Sequence, residues 1–358
     1  MTTPFEQRDR RIRHFARGLH GWLVVLLVAL PLATASVGTA GATQDLAQRS
    51  GAAAPTDVPQ LGPFVVNSPG DGDDGMCGQE ECTLREAISA ANTKPLIDTI
   101  TFNLAAAQPI SVTSALPVIT DPLVIDGTTQ PGATCAAPTV ELNGALAGAG
   151  VSGLNITAGS STVKGLIINR FAANGIRLAS GGSNTVQCSW IGLGAAGDAA
   201  GNGLAGIRIE SSTNNQIGGT AGSATRNVIS GNLGNGIEIA NAAATQTTIH
   251  GNSIGTNPAG TARVANGANG ILTKADRTAV GGTAAGAGNL ISGNTASGVY
   301  LNVPGAALGS TVQGNSIGLA LAGTSSISNT HGISIDATPR TLAVSYTHLR
   351  AHETKANL

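Results

Sequence analysis

The sequence predicts an all-β fold, a parallel β-helix in which short strands stack coil upon coil, and three observations carry that prediction. The first is an internal repeat. Thr185 to Gly197 (TVQCSWIGLGAAG), Thr248 to Gly260 (TIHGNSIGTNPAG) and Thr311 to Gly323 (TVQGNSIGLALAG) begin 63 residues apart both times (248 − 185 and 311 − 248). Between them sit Asn227 to Asn232 (NVISGN) and Asn289 to Asn294 (NLISGN), 62 residues apart (289 − 227). The second is a shorter beat of glycines, each preceding an apolar couplet: Gly175, Gly206, Gly236, Gly270, Gly298 and Gly332, in steps of 31, 30, 34, 28 and 34 residues. Two such steps make one long repeat. The third is the texture of the apolar runs, which are three to five residues long, β-branched and bounded by Gly, Asn and Thr, where a helical repeat would need long amphipathic segments.

A single short strand cannot bury its own face, so stacked copies must supply each other's core. Ile176, Ile207, Ile237, Ile271, Val299 and Ile333 are expected to form one inward column with coils roughly 4.8 Å apart, and Ile191, Ile254 and Ile317 another. Asn232, Asn252, Asn294 and Asn315 all follow glycine, at bends where asparagine tolerates the left-handed conformation, and they are expected to stack as one amide ladder.

Composition agrees with a solenoid of small residues. Charged residues are 11%, aromatics 3%, and there are 50 glycines. The net charge of −1 and the lack of a basic stripe with interleaved aromatics give no reason to expect a nucleic-acid partner.

From the N-terminus, Arg8, Arg10, Arg11, Arg13 and Arg17 precede an apolar run from Trp22 to Leu30 and then small residues, so residues 1–42 read as a signal peptide, with an uncleaved anchor as the alternative. Any membrane association then runs through this segment or an anchor outside the sequence. Residues 43–62, rich in Ala, Gln and Pro, read as a linker. Residues 63–135 read as a cap with the first coils. Thr83 and Glu86 have capping-box spacing for a helix starting at Leu84, whose Leu84, Ala87, Ile88 and Ala91 share one face. Such a helix would cover the bare apolar end of the solenoid. Residues 136–343 carry the repeats, and residues 344–358 (VSYTHLRAHETKANL) lose the repeat texture and resemble a translated sequencing adapter.

Phe64-Val65-Val66-Asn67, the acidic Gly70 to Gly75, the two nearby cysteines, Leu84-Arg85-Glu86-Ala87-Ile88 and Asp98-Thr99-Ile100-Thr101-Phe102 resemble the bacterial CSLREA domain, with Thr83 in place of its serine. Val124 to Gly132 (VIDGTTQPG) and the later IGGT and ISGN motifs are similar to the repeats that follow that domain. The resemblance implies a right-handed parallel β-helix in a secreted or surface-attached protein, and it implies no particular chemistry.

Four cysteines in an exported chain fit two disulfides, with Cys77–Cys82 and Cys135–Cys188 preferred among three connectivities and metal binding as the alternative. Asp71, Asp73 and Asp74 within GDGDDG are a candidate Ca²⁺ site, although the position where an EF-hand places its bidentate glutamate is Cys82. No other cofactor is implied. Outward residues after the glycine couplets form two expected columns, Arg177, Arg208, Glu238, Leu272, Tyr300, Ser334 and, beside it, Ala179, Glu210, Ala240, Lys274, Asn302, Asp336. Arg177, Arg208, Glu238, Lys274, Tyr300 and Asn302 are the candidate ligand-binding residues, with Tyr300 as a sugar-stacking ring. Glu210 and Glu238, roughly 8 Å apart on strand geometry, are the candidate catalytic pair, within the spacing of inverting glycosidases. These features define three readings: a non-catalytic surface module that adheres to or binds polysaccharide or cell-surface glycan, a polysaccharide lyase or glycoside hydrolase, and a passive stalk.

Overall fold

A computed structural model of the chain describes residues 63–105, 108–304, 309–336 and 341–344; the segments read above as signal peptide and linker, and the tail from residue 345, lie outside the described residues. The described chain winds through three parallel sheets. The first has ten strands, from Phe64–Val66 to Leu342–Val344; the second has eight, from Ile110–Ser111 to Ser316–Ile317; the third has seven, from Leu154–Ile156 to His331–Asp336. From Leu123–Asp126 to His331–Asp336 each coil contributes one strand to each sheet in turn, which makes the fold a parallel β-helix.

Register follows the glycine beat. Ile176, Ile207, Ile237, Ile271, Val299 and Ile333 pair in succession along the third sheet, all buried. Ile191, Ile254 and Ile317 share a column of the second sheet, with Ile229 and Ile291 from the intervening coils between them. A third column, Val163, Val186, Ile217, Ile249, Val280 and Val312, closes the interior from the first sheet. Each such side chain contributes about 1.5–3 kcal/mol through burial. The beat is glycine because the next coil leaves no room: a Cβ on Gly236 would stand 2.6 Å from the Gly270 carbonyl oxygen and 2.9 Å from Asn266 Nδ2.

The asparagines differ from expectation in two ways. They form two ladders, one per corner. Between the second and third sheets, Asn202, Asn232, Asn266, Asn294 and Asn329 each pass an Nδ2 hydrogen to the next Oδ1 at 2.9–3.0 Å. Between the first and second sheets, Asn227, Asn252, Asn289 and Asn315 do the same at 2.8–3.0 Å. Nor is asparagine the left-handed residue: the preceding Gly231, Gly251, Gly293 and Gly314 take positive φ, leaving the amide free to turn inward. There the second Nδ2 hydrogen meets a backbone carbonyl of the coil before, as from Asn266 to Ile229 at 2.9 Å. Cys188 replaces that glycine in the earliest repeat and adopts φ 56° itself.

The 63-residue period has a mechanical cause. After the second-sheet strands Trp190–Ile191, Ser253–Ile254 and Ser316–Ile317, the chain leaves the coil as a flap whose arms pair antiparallel, Leu193 with Ala199, Thr256 with Arg263, Leu319 with Ser326. Each return arm hydrogen-bonds to the coil below: Arg170 N donates to Ala200 O at 3.2 Å, Gly231 N to Val264 O at 3.1 Å, Gly293 N to Ile327 O at 2.8 Å. A flap therefore fills two levels, and the NVISGN and NLISGN coils must go without one. Successive flaps touch, Leu321 N donating to Gly260 O at 2.9 Å, and Leu193 of the first flap clusters with Ile167, Trp190 and Val228 of the second sheet, with Val264 of the second flap packed against them.

The helix expected to start at Leu84 forms and packs into the core beside the first strands. Helix Leu84–Ala91 begins at a complete capping box, Thr83 accepting from Glu86 N and Glu86 accepting from Thr83 N, and its apolar face joins the main core with Phe64 and Ile100. Arg85 clasps Asp71 at 2.8 Å, both side chains nearly buried. Disulfides join Cys77 to Cys82 and Cys135 to Cys188, the second stapling coils two levels apart. Leu342–Val344 pairs with Thr311–Gln313, so Val344 continues the first sheet.

Two outcomes follow. Excising residues 248–310, so that Thr247 joins Thr311, should leave a shorter monomer that melts cooperatively by circular dichroism, whereas excising the single coil 279–310 should bring two flaps to adjacent levels and abolish cooperative melting. Replacing Asn266 by Ala strands the Asn232 amide and the Ile229 carbonyl and should cost about 2–4 kcal/mol in urea unfolding, against about 1 kcal/mol or less for the half-buried Asn241→Ala, whose side-chain hydrogen bonds lie at the surface.

Candidate functional site

The outer faces of the sheets are not equivalent. The flaps lie on the second sheet, while the third presents its outward residues at successive levels in the order the beat requires: Arg177, Arg208, Glu238, Leu272, Tyr300, Ser334. The neighbouring column is paired at both its ends, Ala179 with Glu210 and Asn302 with Asp336.

On this face six charged and amide side chains form a continuous chain. Arg177 Nη1 donates to Asn155 Oδ1 at 3.1 Å and Arg177 Nε to Glu210 Oε2 at 2.9 Å; Arg208 reaches the other Glu210 oxygen and, through Nη1, Glu238 Oε1 at 2.8 Å; Asn235 Nδ2 donates to Glu238 Oε2 at 3.3 Å. Two guanidinium groups and two carboxylates cancel in charge and hold one another's rotamers. Partial burial works to raise the Glu210 pKa, but the hydrogen bonds from Arg208 and Arg177 and their positive charges outweigh it and hold the carboxyl below its ordinary value. Such a group stays anionic at neutral pH, the opposite of the raised pKa a general acid requires.

Beyond Glu238 the face changes character. Leu272 and Tyr300 are cross-strand neighbours and half-buried, and Lys274 is exposed beside them. Tyr300 Oη donates to Asp336 Oδ2 at 2.8 Å, and that hydrogen bond, with some burial and the Asp336 charge, pushes the phenol pKa up against a smaller opposing effect of Asn302. The hydroxyl thereby anchors the half-buried ring to the neighbouring strand. The structure thus brings Arg177, Arg208, Glu210 and Glu238 into one network and sets Lys274, Tyr300 and Asn302 next along the same face. Sequence reasoning missed Asn155 and Asn235 as its ends. Asn155 follows a further glycine couplet, Gly153-Leu154, only 22 residues (175 − 153) before Gly175 and so outside the regular beat.

Asp71, Asp73 and Asp74 do not converge. Asp71 is occupied by Arg85 and by Thr113, whose N and Oγ1 donate at 2.7 and 2.8 Å, while Asp73 and Asp74 close local turns onto Gly75 N and Met76 N. Among the described residues no group of three or more His, Cys, Asp or Glu side chains could hold a metal ion, and no helix is long and apolar enough to cross a membrane. Comparison with protein-family models and with curated proteins finds no match.

The Glu210 clamp has a pH signature. Its folded pKa lies below the unfolded value, so the unfolded state binds more protons in the interval between them; the stabilisation is complete above the ordinary glutamate value of 4.5 and is lost as pH falls through the folded pKa. Melting temperature measured from pH 7 to pH 2 should therefore fall more steeply for the wild type than for Glu210→Gln.

Proposed function

We propose that this chain is an exported, non-catalytic surface module that binds uncharged polysaccharide or cell-surface glycan along the outer face of the third sheet. One observation carries the reading: a half-exposed face whose polar groups are already joined in a charge-balanced network and beside which stands an aromatic ring hydrogen-bonded to Asp336. Pre-set hydroxyl-binding groups beside an immobilised ring reduce the ordering cost of binding a sugar chain. Because Arg177 and Arg208 are neutralised by Glu210 and Glu238, an acidic polymer gains little from them. The doubly clamped Glu210 weighs against the hydrolase alternative. Two disulfides fit an oxidising compartment, and the charged N-terminus before an apolar run, with the CSLREA resemblance, supports export. Nothing in the surface charge invites nucleic acid.

Affinity electrophoresis through gels containing neutral and acidic polysaccharides tests the proposal. Retardation by a neutral polymer is expected, weakened about tenfold by Tyr300→Ala, with no shortening of the polymer on long incubation. Chain cleavage abolished by Glu238→Gln would make the protein an enzyme, and migration unaffected by every polymer would leave a stalk.

A further inference from the structure

Two carboxylate oxygens at the junction of cap and solenoid have no protein partner. Asp98 opens the strand Asp98–Phe102 and faces inward with Ile100 and Phe102, the residue only 9% exposed; Asp121 lies two residues before Leu123, which pairs with Asp98 in the next coil. Asp98 Oδ2 and Asp121 Oδ2 are both buried, and neither meets a hydrogen-bond donor. The two groups feel each other: burial pushes the Asp98 carboxyl up, the Lys94 ammonium draws it down, and the Asp121 charge pushes it up again. In the later coils the inward position at this corner, in register with Leu123, holds neutral side chains, Ser161, Asn184, Asn215, Thr247, Thr278 and Ser310, all buried. Asp98 in place of a hydroxyl or an amide, with the Asp121 carboxylate two residues before the same column, is therefore a local departure that packing does not require. An unpaired buried carboxylate is costly, and two sharing a corner are costlier.

We propose that Asp98 and Asp121 form a binding site for a hard divalent cation, Ca²⁺ in the first instance, which ties the cap to the first two coils. Oxygen is the only ligand type offered, which suits Ca²⁺ and excludes thiolate- or imidazole-preferring metals. With two protein carboxylates and the rest of the shell from water or main-chain oxygens, the site belongs among weak extracellular ones, with dissociation constants on the order of 10⁻⁴–10⁻³ M. Three segments meet at the position. The loop bearing Asp121 is held to the end of the helix by Asn92, which donates to Val118 O at 2.8 Å and accepts from Thr120 N at 2.9 Å. Lys94, whose ammonium stands 4.7 Å from the centre of the Phe64 ring, is the nearby cation with which the metal must compete. The site is separate from the GDGDDG loop, whose acids are spent on Arg85, Thr113 and local turns.

The test is thermal unfolding of the full chain, disulfides intact, at pH 7.5 in EDTA, in 5 mM MgCl₂ and in 5 mM CaCl₂, with calorimetric titration of Ca²⁺ alongside. A rise of a few degrees in Ca²⁺ is expected for the wild type, since a ligand bound only by the folded state stabilises it by mass action. Asp98→Asn and Asp121→Asn, which remove a buried charge and keep the shape, should fold at least as well in EDTA and lose the Ca²⁺ response. Lys94→Gln should tighten Ca²⁺ binding severalfold. Equal melting temperatures in EDTA and Ca²⁺ for the wild type would overturn the proposal, as would a Ca²⁺ response that persists in Asp98→Asn and Asp121→Asn.

Discussion

Everything in this fold is subordinate to the spacing of about 4.8 Å that backbone hydrogen bonds impose between successive parallel strands. At that distance each side chain meets its counterpart in the next coil, so a position must be filled by something that packs against itself. Isoleucine and valine do this inside. Asparagine does it at the corners, because its amide is both donor and acceptor and can pass a hydrogen bond along a row while also reaching a carbonyl of the coil before. A charged residue cannot, and among the described residues the buried acids, Glu86 and Asp98, lie in the capping helix and the strand that follows it.

The same rule governs the outer face of the third sheet, with a different result. Like charges stacked in a column repel, and Arg177 above Arg208 is such a contact. Glu210, one in-sheet step aside, lies between them and is shared by both, so the repulsion becomes a two-dimensional network. That network is screened and partly exposed, and its contribution to stability is modest. Its value lies in the fixed positions it gives to groups that face solvent.

Much of this was legible in the sequence for a definite reason. The columns beginning at Ile176 and Arg177 repeat a glycine couplet that steric exclusion enforces coil after coil, so identity at a fixed offset reports contact directly. The capping box at Thr83 and Glu86 is equally local. What escaped is what depends on side-chain direction or alternates between coils. Asn252 and Asn232 share a Gly-Asn context yet belong to different corners, while Asn266, preceded by alanine, and Asn329, preceded by serine, share a ladder with Asn232. The flaps escape a strand-by-strand reading because their constraint is thickness, which leaves only the doubled period as a trace. Asp121 stands two residues outside the strand that pairs with Asp98, where strand pairing no longer predicts who neighbours whom.

The amide rows also have a direction. In both ladders the amide-to-amide bonds all run from Nδ2 to an Oδ1 in the higher-numbered coil, while the other Nδ2 hydrogen turns back to a main-chain carbonyl, so the side-chain bond dipoles share one sense along each row. A coil laid down after the cap thus offers polarised N–H groups to the coil that follows, and a coil approaching from the other side would find carbonyls instead. Assembly acquires a preferred sense, from capped beginning to later turns, which is also the order in which a ribosome delivers them.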